Sequence, residues 1–320
     1  MIKSNFPWIE SPFFYKILET KNLSAEEKKL CIDYHENGFT ALSNFFPADL
    51  IDKVQQETEN KAFDTNFPIK THRTKTRVQD FWEVSEPCKD LASYPPLLKL
   101  LETLYGRKPI PFQTLNFSEG TQQLAHSDTI HFSSLPAKFM CGVWVALEDI
   151  NDENGPLFYY PGSHRLPEYN FAQIKENATS NNYDNYNEYE DFIEEIVKVS
   201  PFERKIFHAK KGDMLIWSSN ILHGGMPVLK EGSSRWSQVT HYFFEDCYYY
   251  TPMLSNMVTD ELFLRNNITN IATGEKVVPN YNGEKIDYLR VNKTQYIFNP
   301  TRDKKALLKL LYKAVFKKEK

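Results

Sequence analysis

Between residue 111 and about 245 the chain is broken into short apolar runs that leave no room for long helices. The runs fall at 112–117, 139–147, 156–160, 213–217 and 236–244, with Glu119-Gly120, Asn154-Gly155, Pro161-Gly162 and Lys211-Gly212-Asp213 between them. Glycine and proline at this density close turns, so the spacing predicts many short strands in a sandwich or barrel, not a parallel α/β sheet. The run Cys141-Gly142-Val143-Trp144-Val145-Ala146-Leu147 is apolar on both faces. A strand of that kind needs cover on its outer side, and the expected cover is helical. The fold class expected is mainly β with flanking helices (α+β).

The helices are expected before residue 111. Ser24-Ala25-Glu26-Glu27 fits a capping box, and the helix it opens should stop near Gly38. Phe39 to Leu42 reads as a short strand. Pro47 suits a first helical position, with Leu50, Ile51 and Val54 as the stripe behind it. Residues 58–80 are polar and irregular, and a further helix runs from Pro96 to just before Gly106. One domain, 1–320, is expected: a helical portion at 1–110, a β core at 111–245 and an extension at 246–320. Residues 168–200 interrupt the β pattern. Asn181 to Asp191, rich in Asn, Tyr and acidic groups, reads as a loop, either a solvated insertion or a lid. The last stretch, Thr301 to Lys320, reads as a basic amphipathic helix. It would dock Leu308, Leu311, Tyr312 and Val315 on the domain or lie on a membrane surface.

Charge and cysteine usage narrow the function classes. The net charge is −4, whereas a nucleic-acid binder carries a basic excess, so no nucleic-acid partner is expected. The four cysteines, Cys31, Cys88, Cys141 and Cys247, form no Cys-x-x-Cys pair. Neither a disulfide framework nor a thiolate zinc site is expected, and a cytoplasmic location follows. Pro7, Glu10 and Pro12 break any leader-like apolar region. The longest apolar run, Phe139 to Leu147, is about half of a membrane span.

His126 and Asp128 stand two residues apart in what reads as a strand, where i and i+2 share a face. His223 lies far down the chain, beyond another strand-like run. Two histidines and a carboxylate suit Fe(II) with coordination positions left open. Read one at a time, His126 is equally a turn histidine, Asp128 a helix cap and His223 a core residue. His131, an odd number of residues from Asp128, should face away from it, as a structural residue or as second-site lining and not as a ligand. His164 suits a turn, and His35, His72, His208 and His241 receive no role.

The ordered set is more telling. Tyr34-His35-Glu36-Asn37-Gly38-Phe39 with the Pro47 helix, Gly120 to Phe132, Asn154-Gly155-Pro156 through Ser163-His164-Arg165, and Gly212-Asp213 leading to His223 together resemble the phytanoyl-CoA dioxygenase family. The resemblance implies a double-stranded β-helix (jelly roll, cupin-like) core and an Fe(II)/2-oxoglutarate-dependent dioxygenase. It implies His126, Asp128 and His223 as iron ligands and Arg235 on the far carboxylate of 2-oxoglutarate, where a planar guanidinium binds bidentately. Asn116 and Trp144 match positions that contact this co-substrate in some relatives. The chain departs from the pattern at Gly225, where many relatives carry serine, and at Ser234, where many carry asparagine, so one co-substrate hydrogen bond is missing or supplied elsewhere. The activity implied is hydroxylation of a C–H by O2, with succinate and CO2 as co-products; a carboxylate at 128 argues against halogenation. A polar small-molecule substrate is expected, because the tyrosine-rich insertion is polar and no basic cluster adjoins the motif to take coenzyme A phosphates. A catalytically silent jelly-roll module binding a glycan, or a zinc hydrolase on the same scaffold, are the competing readings.

Overall fold

The strands follow the short apolar runs. In chain order they are β1 (Phe39–Leu42), β2 (Arg77–Gln79), β3 (Pro109–Phe117), β4 (Ser133–Leu135), β5 (Met140–Ala146), β6 (Leu157–Tyr159), β7 (Lys205–Phe207), β8 (Met214–Ser218), β9 (His223–Gly225), β10 (Ser237–Phe244) and β11 (Tyr248–Tyr250). This computed structural model describes residues 5–68, 72–174, 183–259, 262–285, 288–291, 294–297 and positions 308, 311, 312 and 315. A six-stranded sheet in the order β1-β8-β5-β10-β3-β2 faces a three-stranded sheet, β7-β6-β9, and a two-stranded one, β11-β4. Every pairing within them is antiparallel. The architecture is the sandwich expected of the turn pattern, in the jelly-roll form that the family resemblance implies.

Alternation divides the large sheet into a helix side and a cavity side. In β5, Cys141, Val143 and Val145 join the main apolar core, while Trp144 and Ala146 join a second cluster between the sheets. The helices on the outer side are α1 (Phe14–Glu19), α2 (Ala25–Asn37), α3 (Ala48–Glu57), α4 (Glu86–Ala92) and α5 (Pro95–Tyr105). They bury Tyr34, Ile51, Val54, Leu91, Leu97, Leu101 and Leu104 against β5, β8 and β10. At roughly 1.5–3 kcal/mol per fully buried aliphatic side chain, this layer is what holds the sheet's outer face.

The local signals explain where these helices begin and end. Ser24 Oγ accepts from the Glu27 amide at 3.1 Å and Glu27 Oε2 accepts from the Ser24 amide at 2.8 Å, the reciprocal cap of α2. Gly38 ends it at φ +80°. A Cβ at Gly38 would lie within 2.9 Å of three His164 side-chain atoms, two of them in the ring, so the position needs glycine on both counts. Pro47 stands one residue earlier than expected, as the N-cap of α3.

Two expectations fail. Residues 122–127 form no strand: His126 makes one isolated bridge, and Asp128 opens a 3-10 turn, Asp128–Ile130. The loop expected at 181–191 is helical from Tyr186 onward, in α7 (Tyr186–Val199), which follows α6 (Phe171–Ile174). Tyr189 and Ile193 on α7 pack on Ala125, Ile130, Phe158 and Leu222. The i, i+4 spacing of these two apolar groups is helical, and it outweighs the polar composition around them. Residues 175–182 of the 168–200 insertion, on which the lid reading partly falls, and most of the basic helix at 301–320 lie outside the described residues. Leu308, Leu311, Tyr312 and Val315 are helical and exposed. No helix among the described residues is long and apolar enough to cross a membrane.

Candidate metal centre and its cavity

A pair of backbone hydrogen bonds brings the two distant histidines together. The His126 amide donates to the His223 carbonyl and the His223 amide to the His126 carbonyl, each at 3.0 Å. Their rings stand 4.5 Å apart, centre to centre. His126 Nδ1 lies 3.0 Å from the Leu124 carbonyl and His223 Nδ1 lies 3.1 Å from the Ile221 carbonyl. A carbonyl can only accept, so each Nδ1 carries the proton and each Nε2 keeps its lone pair for a ligand. His223 Nε2 is 3.9 Å from Asp128 Oδ1. One ligand atom from each of His126, Asp128 and His223 lies within 4.8 Å of the others, and all three residues are buried.

Asp128 is fixed from the opposite side. Trp217 Nε1 donates to its Oδ2 at 2.7 Å, and His241 Nε2 stands 3.8 Å from the same oxygen. Gly142, opposite Trp217 in the β5–β8 register, makes this possible. A Cβ there would come within 2.7 Å of Trp217 Nε1 and closer still to the ring carbons. Burial pushes the Asp128 carboxyl up, but His223, His241, His126 and the indole N–H together hold it below its ordinary value. Burial, joined by the neighbouring His223, lowers His126 to about 3. His126 thus stands as a neutral imidazole beside an ionised Asp128, the forms that bind a divalent metal.

The three residues open into a cavity of about 730 Å³ between the sheets, which also takes in Trp144, Trp217, Arg235 and His241. Arg235 is 1% exposed. Its backbone amide is anchored on the Ser118 carbonyl at 2.8 Å, and Nη1 donates to Ser237 Oγ at 3.3 Å. Among the described residues its Nε and Nη2 have no partner, nor has the buried Nε1 of Trp144. Burial draws the guanidinium down to about 10, with Glu148 opposing. Glu148 itself is engaged elsewhere, by the Trp236 amide and Ser234 Oγ. A buried cation with idle donors is costly unless an anion meets it. The donor set fits a carboxylate.

Asn116 does not belong here. Alternation on β3 turns Leu115 and Phe117 into the cavity and Asn116 to the helix side. Its Nδ2 donates to Gln238 Oε1 at 3.1 Å and Thr58 Oγ1 at 3.3 Å, with Cys88 Sγ at 3.6 Å. The expected co-substrate contact is therefore corrected to a buried structural network. His164 also lies off the cavity: Nε2 donates to the His35 carbonyl at 3.1 Å, bracing the end of α2. At Gly225, a Cβ would stand 2.6 Å from Thr121 Oγ1, so the Thr121 hydroxyl fills the space a serine there would need.

Several cavity residues carried no usable signal in the sequence. His241, His72, Arg77 and Arg265 reach it from β10, from the segment leading to β2, from β2 and from the extension after β11. His131, expected to face away from Asp128, also lines it and stacks on Tyr183 at 5.8 Å.

A family model for phytanoyl-CoA dioxygenase (PhyH) matches residues 34–235, more than half of the chain. The chain belongs to the phytanoyl-CoA dioxygenase family. It is thereby an Fe(II)/2-oxoglutarate-dependent dioxygenase by class. The peroxisomal phytanoyl-CoA dioxygenase of Homo sapiens is 23% identical over 261 residues, covering 74% of this chain and 73% of that protein. Among solved structures, EctD from S. alaskensis with 2-oxoglutarate and 5-hydroxyectoine superposes with a TM-score of 0.58 at 18% identity, covering 79% of this chain and 86% of that one. The non-heme alpha ketoglutarate dependent epimerase SnoN from nogalamycin biosynthesis gives 0.56 at 18% identity, covering 84% and 97%. These likenesses place this family member in the jelly-roll oxygenase fold.

Proposed function

We propose that this family member hydroxylates a C–H of a polar small molecule with O2, converting 2-oxoglutarate to succinate and CO2. In this reading His126, Asp128 and His223 hold Fe(II), and Arg235 binds the far carboxylate of 2-oxoglutarate. The observation that carries it is the fully buried Arg235, with Nε and Nη2 idle and no ion pair among the described residues, in the same cavity as the three ligand-type side chains. A silent binding module has no use for a buried unpaired cation beside such a cluster.

Each residue then has a defined task. The backbone carbonyls of Leu124 and Ile221 fix the imidazole tautomers, and the Trp217 N–H fixes one oxygen of Asp128 and leaves the other for the metal. Arg235 sets the orientation of the co-substrate by two parallel charge-assisted hydrogen bonds. Trp144 Nε1 and the Thr121 hydroxyl are further donors for it, the latter in place of the serine that this chain lacks at 225. Bound iron, with 2-oxoglutarate and O2, supplies the oxidising power for the C–H bond. The protein's share is positioning and a cavity walled by Phe117, Leu157, Val239 and Trp217 that limits water.

The test is anaerobic titration of the full chain with Fe(II) and 2-oxoglutarate, which should produce a weak visible charge-transfer band. Asp128→Ala should lose both the band and succinate formation. Full turnover in that variant would overturn the reading.

A further inference from the structure

Beyond the three ligand-type residues, the cavity wall carries two more guanidinium groups. Arg77 enters from edge strand β2, opposite Phe117 in the β2–β3 register. Arg265 enters from the extension after β11. Its guanidinium lies 4.7 Å from the centre of the Phe132 ring and 5.7 Å from that of Phe112. Arg265 Nη1 donates to Thr251 Oγ1 at 3.0 Å, and its Nε is buried with no partner. Both charges bear on His131, another lining residue, so the two guanidinium groups reach the same part of the cavity.

No acid answers these charges. Among the described residues neither Arg77 nor Arg265 makes an ion pair, and the only carboxylate lining the cavity is Asp128. Asp80, the acid that bears on Arg265, is committed to Gln79 Nε2, Trp82 Nε1 and the Thr114 amide. On the reading proposed above, the inner charges already balance. A divalent metal and Arg235 are matched by Asp128 and a dicarboxylate. Arg77 and Arg265 are left over, and a partly desolvated cation pair with an idle donor is stabilised by an anion.

We propose that Arg77 and Arg265 bind an anionic group of the substrate, a carboxylate or a phosphate, and so hold the rest of the molecule toward the metal centre. This rests on the oxygenase reading and narrows its polar small molecule to an anion. The arginine pair also supplies the basic cluster that no single stretch of sequence contains, since its members lie far apart in the chain.

Propionate, inorganic phosphate and the neutral match propionamide are titrated into the full chain, with and without Fe(II) and 2-oxoglutarate, and followed by NMR. Propionate or phosphate should bind at least tenfold more tightly than propionamide in both states. Which of the two binds distinguishes a carboxylic acid substrate from a phosphate ester. In the samples with Fe(II) and 2-oxoglutarate, where the co-substrate occupies Arg235, Arg265→Gln should weaken the anion at least tenfold and Arg265→Lys should restore most of it. Arg77→Gln, on an edge strand, gives the same readout if Arg265→Gln does not fold. Equal binding of propionamide, or undiminished anion binding in Arg265→Gln with 2-oxoglutarate bound, would overturn the proposal. The visible band in the same samples reports separately on the oxygenase reading, so failure of one is distinguishable from failure of the other.

Discussion

Trp217 donates its indole N–H to Asp128 Oδ2 at 2.7 Å, joining residues 89 apart in sequence. The bond takes one carboxylate oxygen out of rotation and orients the other toward His126 and His223. Trp217→Phe keeps an aromatic ring, smaller than the indole, and removes the N–H donor. Partners that orient a metal ligand are typically worth ten- to a hundred-fold in affinity or activity. Fe(II) affinity, read by titration, should fall by about that much in Trp217→Phe, with succinate formation falling in step. Unchanged affinity would remove Trp217 from this role.

Gly142 supplies the space in which that indole lies. Alanine there would bring a methyl within 2.7 Å of Trp217 Nε1, and a buried indole between two sheets has little room to retreat. Overpacking of this kind costs about 1–3 kcal/mol. Gly142→Ala should lower the urea midpoint accordingly and should also weaken the metal site, because the displaced ring carries the Asp128 hydrogen bond with it. A variant with wild-type stability and wild-type metal affinity would show that the indole has slack.

These two residues also show what the sequence could and could not disclose. The β architecture was legible because turn-forming Gly and Pro bracket runs that are apolar on both faces, a pattern that needs no knowledge of tertiary contacts. The residues of the cluster were legible as types and order, but the strand expected to align His126 and Asp128 is absent. A backbone bridge from His126 to His223 and a 3-10 turn at Asp128 align them instead. Asn116 was misread because strand alternation can be assigned to a face only once the register is known; the register puts Leu115 and Phe117 inward. Trp217, His241 and Arg265 carried no local signal, since their approach to the cavity depends on how remote strands and the final extension pack.

The corrected position of Asn116 makes its own prediction. Asn116→Leu removes the Nδ2 donor from Gln238 Oε1, Thr58 Oγ1 and Cys88 Sγ in a buried setting. Leaving buried acceptors unmet costs about 1–3 kcal/mol. Stability in urea should drop by that order, while the KM for 2-oxoglutarate stays within twofold of wild type. A large rise in that KM with intact folding would return Asn116 to the co-substrate site.

Stability should also fall with acidity, through His164. This ring is buried against Gly38 at the end of α2, and burial lowers it to about 4 from an ordinary 6.5. As pH falls below 6.5 the unfolded chain takes up this proton before the folded one does, so the folded state loses ground until both are protonated near pH 4. The full effect is roughly 3 kcal/mol, of which about 2 kcal/mol falls between pH 7 and pH 5. Half-buried His131 and buried His241, each lowered to about 4, add to the loss with the same sign. His164→Gln retains an amide donor for the His35 carbonyl and removes the titration. Urea unfolding at pH 7 and pH 5 should therefore show a smaller acid-induced loss in His164→Gln than in the wild type, by about 2 kcal/mol. Parallel losses in the two proteins would mean that the imidazole at 164 is protonated in the folded state without penalty.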